Sequence, residues 1–159
     1  MGTVVYVEPS GDAAENATAD QVIGWMRKDD EEYWGPYSPM GMLRRGGPPE
    51  CWLIFLRHPR RGWYLEHTDF SEPRQNLAAV DPAGDRSGWV EHWIEGETQY
   101  FLAACFVPQA VAESAVTDFL AGCQPSPAAV WEAFDDEVHR REDEPDDGAA
   151  VLETAEPEA

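Results

Sequence analysis

Glu91, His92, Glu95 and Glu97 fall within seven residues of one another, and carboxylates beside an imidazole are donors that zinc accepts. The spacing argues against such a site. In a strand Glu91 and His92 point to opposite faces, and the chain has neither an H-E-x-x-H signature nor a paired-cysteine motif to complete a ligand set. No metal and no other cofactor is expected. His58 sits at a turn and His67 near a strand end, and both read as surface residues. No Ser or Cys stands in the setting of an activated nucleophile, so the chain is not expected to be an enzyme. One catalytic alternative stays open, in which residues 33–50, rich in Gly, Pro and aromatics, form an irregular loop that closes over a small molecule.

Arg57, Arg60 and Arg61 beside Trp63 have the composition of a phosphate-contacting, base-stacking cluster. In a chain of net charge −20, the favoured reading is a solvated hairpin tip that balances neighbouring acids. Gly46 and Gly47 lack the Lys and the following helix of a phosphate loop. Seven tryptophans are many for one small core. Trp25, Trp52 and Trp131 lie in apolar contexts and are expected to be buried. Trp89 and Trp93 share one strand face with Glu91 between them. That row is either an interaction hot spot, in which rigid aromatics exclude water from a charge pair, or a face packed under helices. If it is core, Val90, His92 and Ile94 form the outward set.

These residues need elements to carry them. Residues 3–7 alternate like an edge strand, and residues 10–17 read as a loop. Thr18 and Gln21 have the form of a capping box opening a helix to about Lys28. Strands are expected at 52–57 and 63–68 around a turn, then at 76–80, 89–94 and 100–104. Pro108 suits the start of a second helix, Val111, Ala115, Val116, Phe119 and Leu120 form its apolar stripe, and Gly122 is placed to close it. Residues 131–134 supply a last strand. Short turns between successive strands imply an antiparallel meander, and the helices then pack on one face. The expected class is α+β, with about five to seven strands in a single domain over residues 1–134 and a disordered acidic tail over 135–159.

The paired segments GWYLEHT and GWVEHW, ahead of the second helix, carry a family likeness. With Gly62, Trp63, Tyr64, residues 78–81, Gly88, Trp89, Phe106, Val107, Pro108, Asp118, Phe119, Leu120 and Trp131, the layout over residues 50–134 resembles the first-numbered family of immunity proteins of bacterial polymorphic toxin systems. The resemblance implies a small cytoplasmic antitoxin that binds one toxin domain and blocks it. It also makes a nucleic-acid-targeting enzyme, such as a deaminase, the first expectation for the target.

Charge bears on the same expectation. Residues 135–159 hold eleven Asp and Glu against Arg140 and Arg141, a net of −9, which leaves −11 on residues 1–134. Such a surface repels nucleic acid and anionic membranes and steers basic proteins towards it. Toxins that act on nucleic acids need basic grooves, so the expected partner is a basic toxin domain bound one to one by a monomer. The expected contacts are the acids Glu66, Asp69, Asp85, Glu91, Glu95 and Glu97, with Trp63, Trp89 and Trp93 as anchors. A second reading is an acidic chaperone or adaptor that uses its tail as a polyanion. Cys51, Cys105 and Cys123 are odd in number and without C-x-x-C spacing, and no secretory or membrane-spanning run is evident, so a reducing cytoplasm is expected.

Overall fold

The computed structural model describes residues 3–28, 31–34, 40–48, 50–94, 97–135, 137–141 and 150–153. Strand β1 (Val4–Val7) folds back on β2 (Ala13–Glu15), and the helix α1 (Ala19–Met26) follows. Thr18 and Gln21 form the expected capping box: the Gln21 N–H donates to Thr18 Oγ1 at 3.2 Å, and the Thr18 N–H donates to Gln21 Oε1 at 2.9 Å. A single helical turn, α2 (Glu31–Trp34), precedes β3 (Met40–Arg45), β4 (Cys51–His58), β5 (Gly62–Asp69) and β6 (Gln75–Val80). The hairpin of β7 (Gly88–Ile94) and β8 (Glu97–Leu102) leads through a 3-10 turn to the short β9 (Phe106–Val107) and helix α3 (Gln109–Gly122). Strands β10 (Val130–Ala133), β11 (His139–Arg141) and β12 (Ala150–Glu153) complete the order.

The class is α+β, and the strands are mostly antiparallel, but the expected meander divides into two sheets. The larger runs β10-β6-β5-β4-β3-β1-β2, with β9 also paired to β5, and the smaller runs β11-β8-β7-β12. Only the pairing of β12 with β7 is parallel among these ladders. Helices α1 and α3 cover one face of the large sheet. There Tyr6, Leu43, Leu53, Phe55, Trp63, Leu65 and Ala79 meet Val22, Met26, Ala112, Ala115, Val116 and Phe119. On the opposite face Leu56, Tyr64, Ala78 and Val80 meet Val90, Ile94 and Phe101 of the small sheet. Burial on both faces explains why β4 opens with the almost unbroken apolar run CWLIFL, a pattern of covered strands rather than of half-exposed ones.

Several local expectations are corrected. The stretch at 33–50 was expected to hold no regular element, yet β3 lies inside the sheet between β1 and β4. Gly41, which looks like a loop residue, leaves room for the Phe55 ring, into which a Cβ would project. The loop expected at 10–17 contains β2, whose three residues are held by pairing with β1 and not by side-chain pattern. Pro108 caps α3 in an extended conformation, so the helix begins one residue later. Its end falls at Cys123, φ 56°, in place of Gly122, which stays helical. Cys123 tolerates that left-handed backbone because its N–H donates to the Phe119 carbonyl at 2.7 Å and its own carbonyl accepts from His67 Nε2 at 3.1 Å.

Of the stretch expected as a disordered tail from residue 135, residues 135, 137–141 and 150–153 are described. Val138 is buried, and β11 adds to β8 with His139 stacked 5.0 Å from both Phe101 and Phe134. Burial of these apolar and aromatic groups outweighs the local excess of acids. Ala150–Glu153 lies beside β7, and the rest of the acidic stretch, 142–149 and 154–159, lies outside the described residues.

Candidate functional site

Trp63, one of the expected anchors, lies in the core. Only 2% exposed, it packs edge-on against Trp34 at 5.0 Å and Phe55 at 6.0 Å. Its indole N–H donates to Gln109 Oε1 at 2.6 Å, Gln109 Nε2 donates to Glu113, and Arg27 of α1 pairs with Glu113 at 2.6 Å. This relay fastens the start of α3 to the sheet and to α1. Trp63 is a core residue and not an anchor for a partner. Trp89 is 6% exposed, and the Arg140 guanidinium lies over its ring at 4.6 Å from the centroid, so it too is occupied from within the chain. Glu95 and the side chain of Trp93 lie outside the described residues.

The acids sit in unlike settings. Glu66 is half-buried on the face towards the small sheet and accepts from the Tyr64 hydroxyl at 2.9 Å. Burial raises its carboxyl above the usual range, against the lowering effects of Tyr64 and Arg74. Asp69 ends β5 and accepts from the Ser71 N–H at 2.8 Å, which holds its carboxyl low. Asp85 is exposed in the turn before β7, where the Ser87 hydroxyl and N–H donate to it at 2.7 and 2.8 Å and lower its pKa. Glu91 is half-buried on β7 opposite Tyr100, while Glu97 is exposed at the start of β8.

These acids do not form one patch. Asp85 lies near Arg61 at the hairpin tip beside Gly62, whereas Asp69 is at the far end of β5, roughly 23 Å away along eight residues of strand. Glu91 and Glu97 belong to opposite faces of the small sheet, since Glu97 pairs with Ile94 on the inner side. Among the described residues of the expected set, Asp85 and Glu97 are exposed, and Glu66, Asp69 and Glu91 are half-buried.

The histidines depart furthest from expectation. His58, His67 and His92 were read as turn, strand-end or outward residues, and all three are buried. His58 Nδ1 accepts from the Arg60 N–H at 3.2 Å, and its ring stacks edge-on to Phe106 at 5.7 Å. His67 lies edge-on between Phe119 at 5.8 Å and Trp131 at 6.1 Å, and burial lowers its pKa. Strand alternation carried the signal, since His92 shares its face with Val90 and Ile94, as His67 shares one with Leu65. Val90, His92 and Ile94, the outward set expected if Trp89 and Trp93 were core, are instead buried, and Trp89 is buried on the other face of β7. Trp25 and Trp131 pack half-buried against the core, while half-buried Trp52 stacks on Phe70 at 4.8 Å.

Among the described residues no three His, Cys, Asp or Glu side chains converge as a metal's donors would. No helix among them is long and apolar enough to cross a membrane. A pocket of about 150 Å³ at the sheet seam is lined by Val7, Glu8, Pro9, Met40, Met42 and Ile94. It is about half the ~300 Å³ lower end of typical ligand sites. The lid suggested for 33–50 loses residues 40–45 to an interior strand, and 35–39 lie outside the described residues.

No protein-family model fits the chain, and no curated protein resembles it in sequence.

Proposed function

We propose that this chain is a cytoplasmic antitoxin that binds one basic toxin domain and neutralises it, the toxin being an enzyme that acts on nucleic acid, such as a deaminase. The observation that carries this reading is the net charge of −20, of which −11 belongs to residues 1–134. An acidic surface of that size raises the encounter rate with cationic proteins and repels their nucleic-acid substrates. The likeness in layout to immunity proteins over residues 50–134 supports the same reading.

Co-expression tests it. A basic toxin encoded beside this gene should bind the purified chain one to one and lose its killing activity in cells that carry it. Equal poisoning of cells with and without the chain would remove the proposal.

The acidic adaptor remains the second reading, favoured by the net −9 of residues 135–159. Because Val138 is buried and β11 belongs to the small sheet, the discriminating change is not removal of everything from 135. Neutralising Glu142, Asp143, Glu144, Asp146 and Asp147 to amides leaves the β11 sequence intact. An antitoxin keeps its protection, whereas a polyanionic adaptor loses most of its binding.

A further inference from the structure

Strand β10 ends the large sheet, and no strand among the described residues pairs with its outer edge. Edge strands in monomeric proteins are ordinarily blunted by lysine, proline, a bulge or extreme shortness. The opposite edge follows that rule, since β2 has three residues and is followed by Asn16 with φ 55°. β10 is four residues long, VWEA, with no lysine, proline or bulge; it pairs with β6 in regular register and holds Val130, 49% exposed, the one large apolar side chain exposed among the described residues.

Register determines which backbone groups face outward. The Phe134 N–H donates to the Asn76 carbonyl at 2.9 Å, so the even-numbered residues 130, 132 and 134 exchange hydrogen bonds with β6. Trp131 and Ala133 therefore direct their N–H and C=O groups away from the sheet. The strand is held firmly from behind: Trp131 Nε1–H donates to the Ser126 carbonyl at 2.8 Å, and the Ser126 hydroxyl bonds Asp118 at 2.5 Å. Its groups are thus pre-ordered, which lowers the entropic cost of adding another strand.

We infer that the β10 edge accepts an extended segment of a cationic protein, which adds to the large sheet as a further strand. The charge around the edge chooses this occupant. Glu132, Asp135 and Glu137 lie on or just beyond β10, and the nearby cation, Arg86, is already committed to Glu132 at 2.9 Å with Glu137 adding to the negative field on it. A second copy of the chain would bring two bodies of net charge −20 together and set Glu132 close to its own equivalent. Val130 and Glu132 share one face of the sheet, so a segment alternating Lys or Arg with an aliphatic residue sets its cations beside Glu132 and its apolar side chains on the other face, beside Trp131 and Ala133. This rests on the antitoxin reading for the partner's identity, but the edge itself is testable without the toxin.

The probe is an acetylated and amidated Lys-Val-Lys-Val-Lys-Val peptide, added at low salt to the full chain, with amide hydrogen exchange followed residue by residue. Protection of Trp131 and Ala133 amides should rise about tenfold, with little change elsewhere, and the Glu-Val counterpart should have no effect. Ala133→Pro removes an outward N–H and no inward one, and should abolish the protection. Val130→Lys, which any edge tolerates, should weaken it about tenfold and serves if the proline variant misfolds. Unchanged peptide binding by either folded variant, protection confined to other strands, no binding at all, or self-association through β10 would each overturn the inference. A toxin neutralised equally well by wild type and Ala133→Pro would overturn the edge and leave the antitoxin reading standing. Failure of the wild type to protect cells would do the reverse.

Discussion

The His92 ring faces His58 across the seam between the two sheets, with centroids 6.3 Å apart, and neither nitrogen of His92 has a hydrogen-bond partner among the described residues. Burial, and then the neighbouring His58, lower its pKa to about 4. A histidine depressed in the folded state contributes full stability above its unfolded pKa of 6.5, and that stability is lost as pH falls through the window from 6.5 to about 4. At pH 5 the loss should be about 2 kcal/mol relative to pH 7.5. Urea unfolding at the two pH values checks this, and His92→Leu should lack that part of the dependence. His67, lowered in the same direction, contributes to the slope that remains.

Glu66 works with the opposite sign. Its carboxyl is raised by burial, so its ionised form opposes folding at neutral pH and the penalty lifts as pH falls. Glu66→Gln keeps an acceptor for the Tyr64 hydroxyl while removing the charge. The variant should be as stable as wild type or up to about 1 kcal/mol more stable at pH 7, with the difference closing in acid. A large loss of stability at pH 7 would contradict the setting described for this carboxylate.

Two glycines give opposite outcomes for one substitution. Gly41→Ala drives a methyl into the Phe55 ring inside the sheet and should cost about 1–3 kcal/mol. Gly122→Ala meets nothing within 4 Å in the last turn of α3 and should stabilise by about 0.5–1 kcal/mol. Thermal unfolding of the pair tests whether β3 packs as described. Equal effects would argue that it does not.

Binding should separate exposed acids from buried tryptophans. Asp85→Asn keeps the acceptor for Ser87, and Glu97→Gln changes an exposed strand-start residue. Each should slow association with a basic toxin domain, most visibly at low salt, with little change in dissociation. Trp63→Ala should instead cost about 3–5 kcal/mol of folding stability, because it empties a site in the core beneath α3. Stopped-flow association and calorimetry together distinguish the two kinds of loss.

Local features were legible in the sequence because they are written within a few residues. The Thr18 capping box, the β4–β5 turn and the stripe of α3 need only their neighbours to be read. β3 was hidden because the reason for Gly41 is the Phe55 ring of another strand. The second sheet was hidden for a related reason: the hairpin after Asp81 looks the same whether it extends the first sheet or folds across it. For the same cause the buried histidines passed as surface groups, since what covers them comes from elsewhere in the chain. Among the candidate contacts, Asp85 and Glu97 follow from their turn and strand-start positions, whereas Trp63 was misjudged because aromatic character suits a core as well as an interface.

The small sheet owes both of its borders to later sequence. The β7–β8 hairpin is flanked by β11 on one side and β12 on the other. During synthesis the hairpin therefore leaves the ribosome with two open sides, and it is sealed only when residues 139–153 have followed it. A ribosome stalled between the two would hold a chain whose helical layer is complete and whose second layer is still receptive to foreign strands.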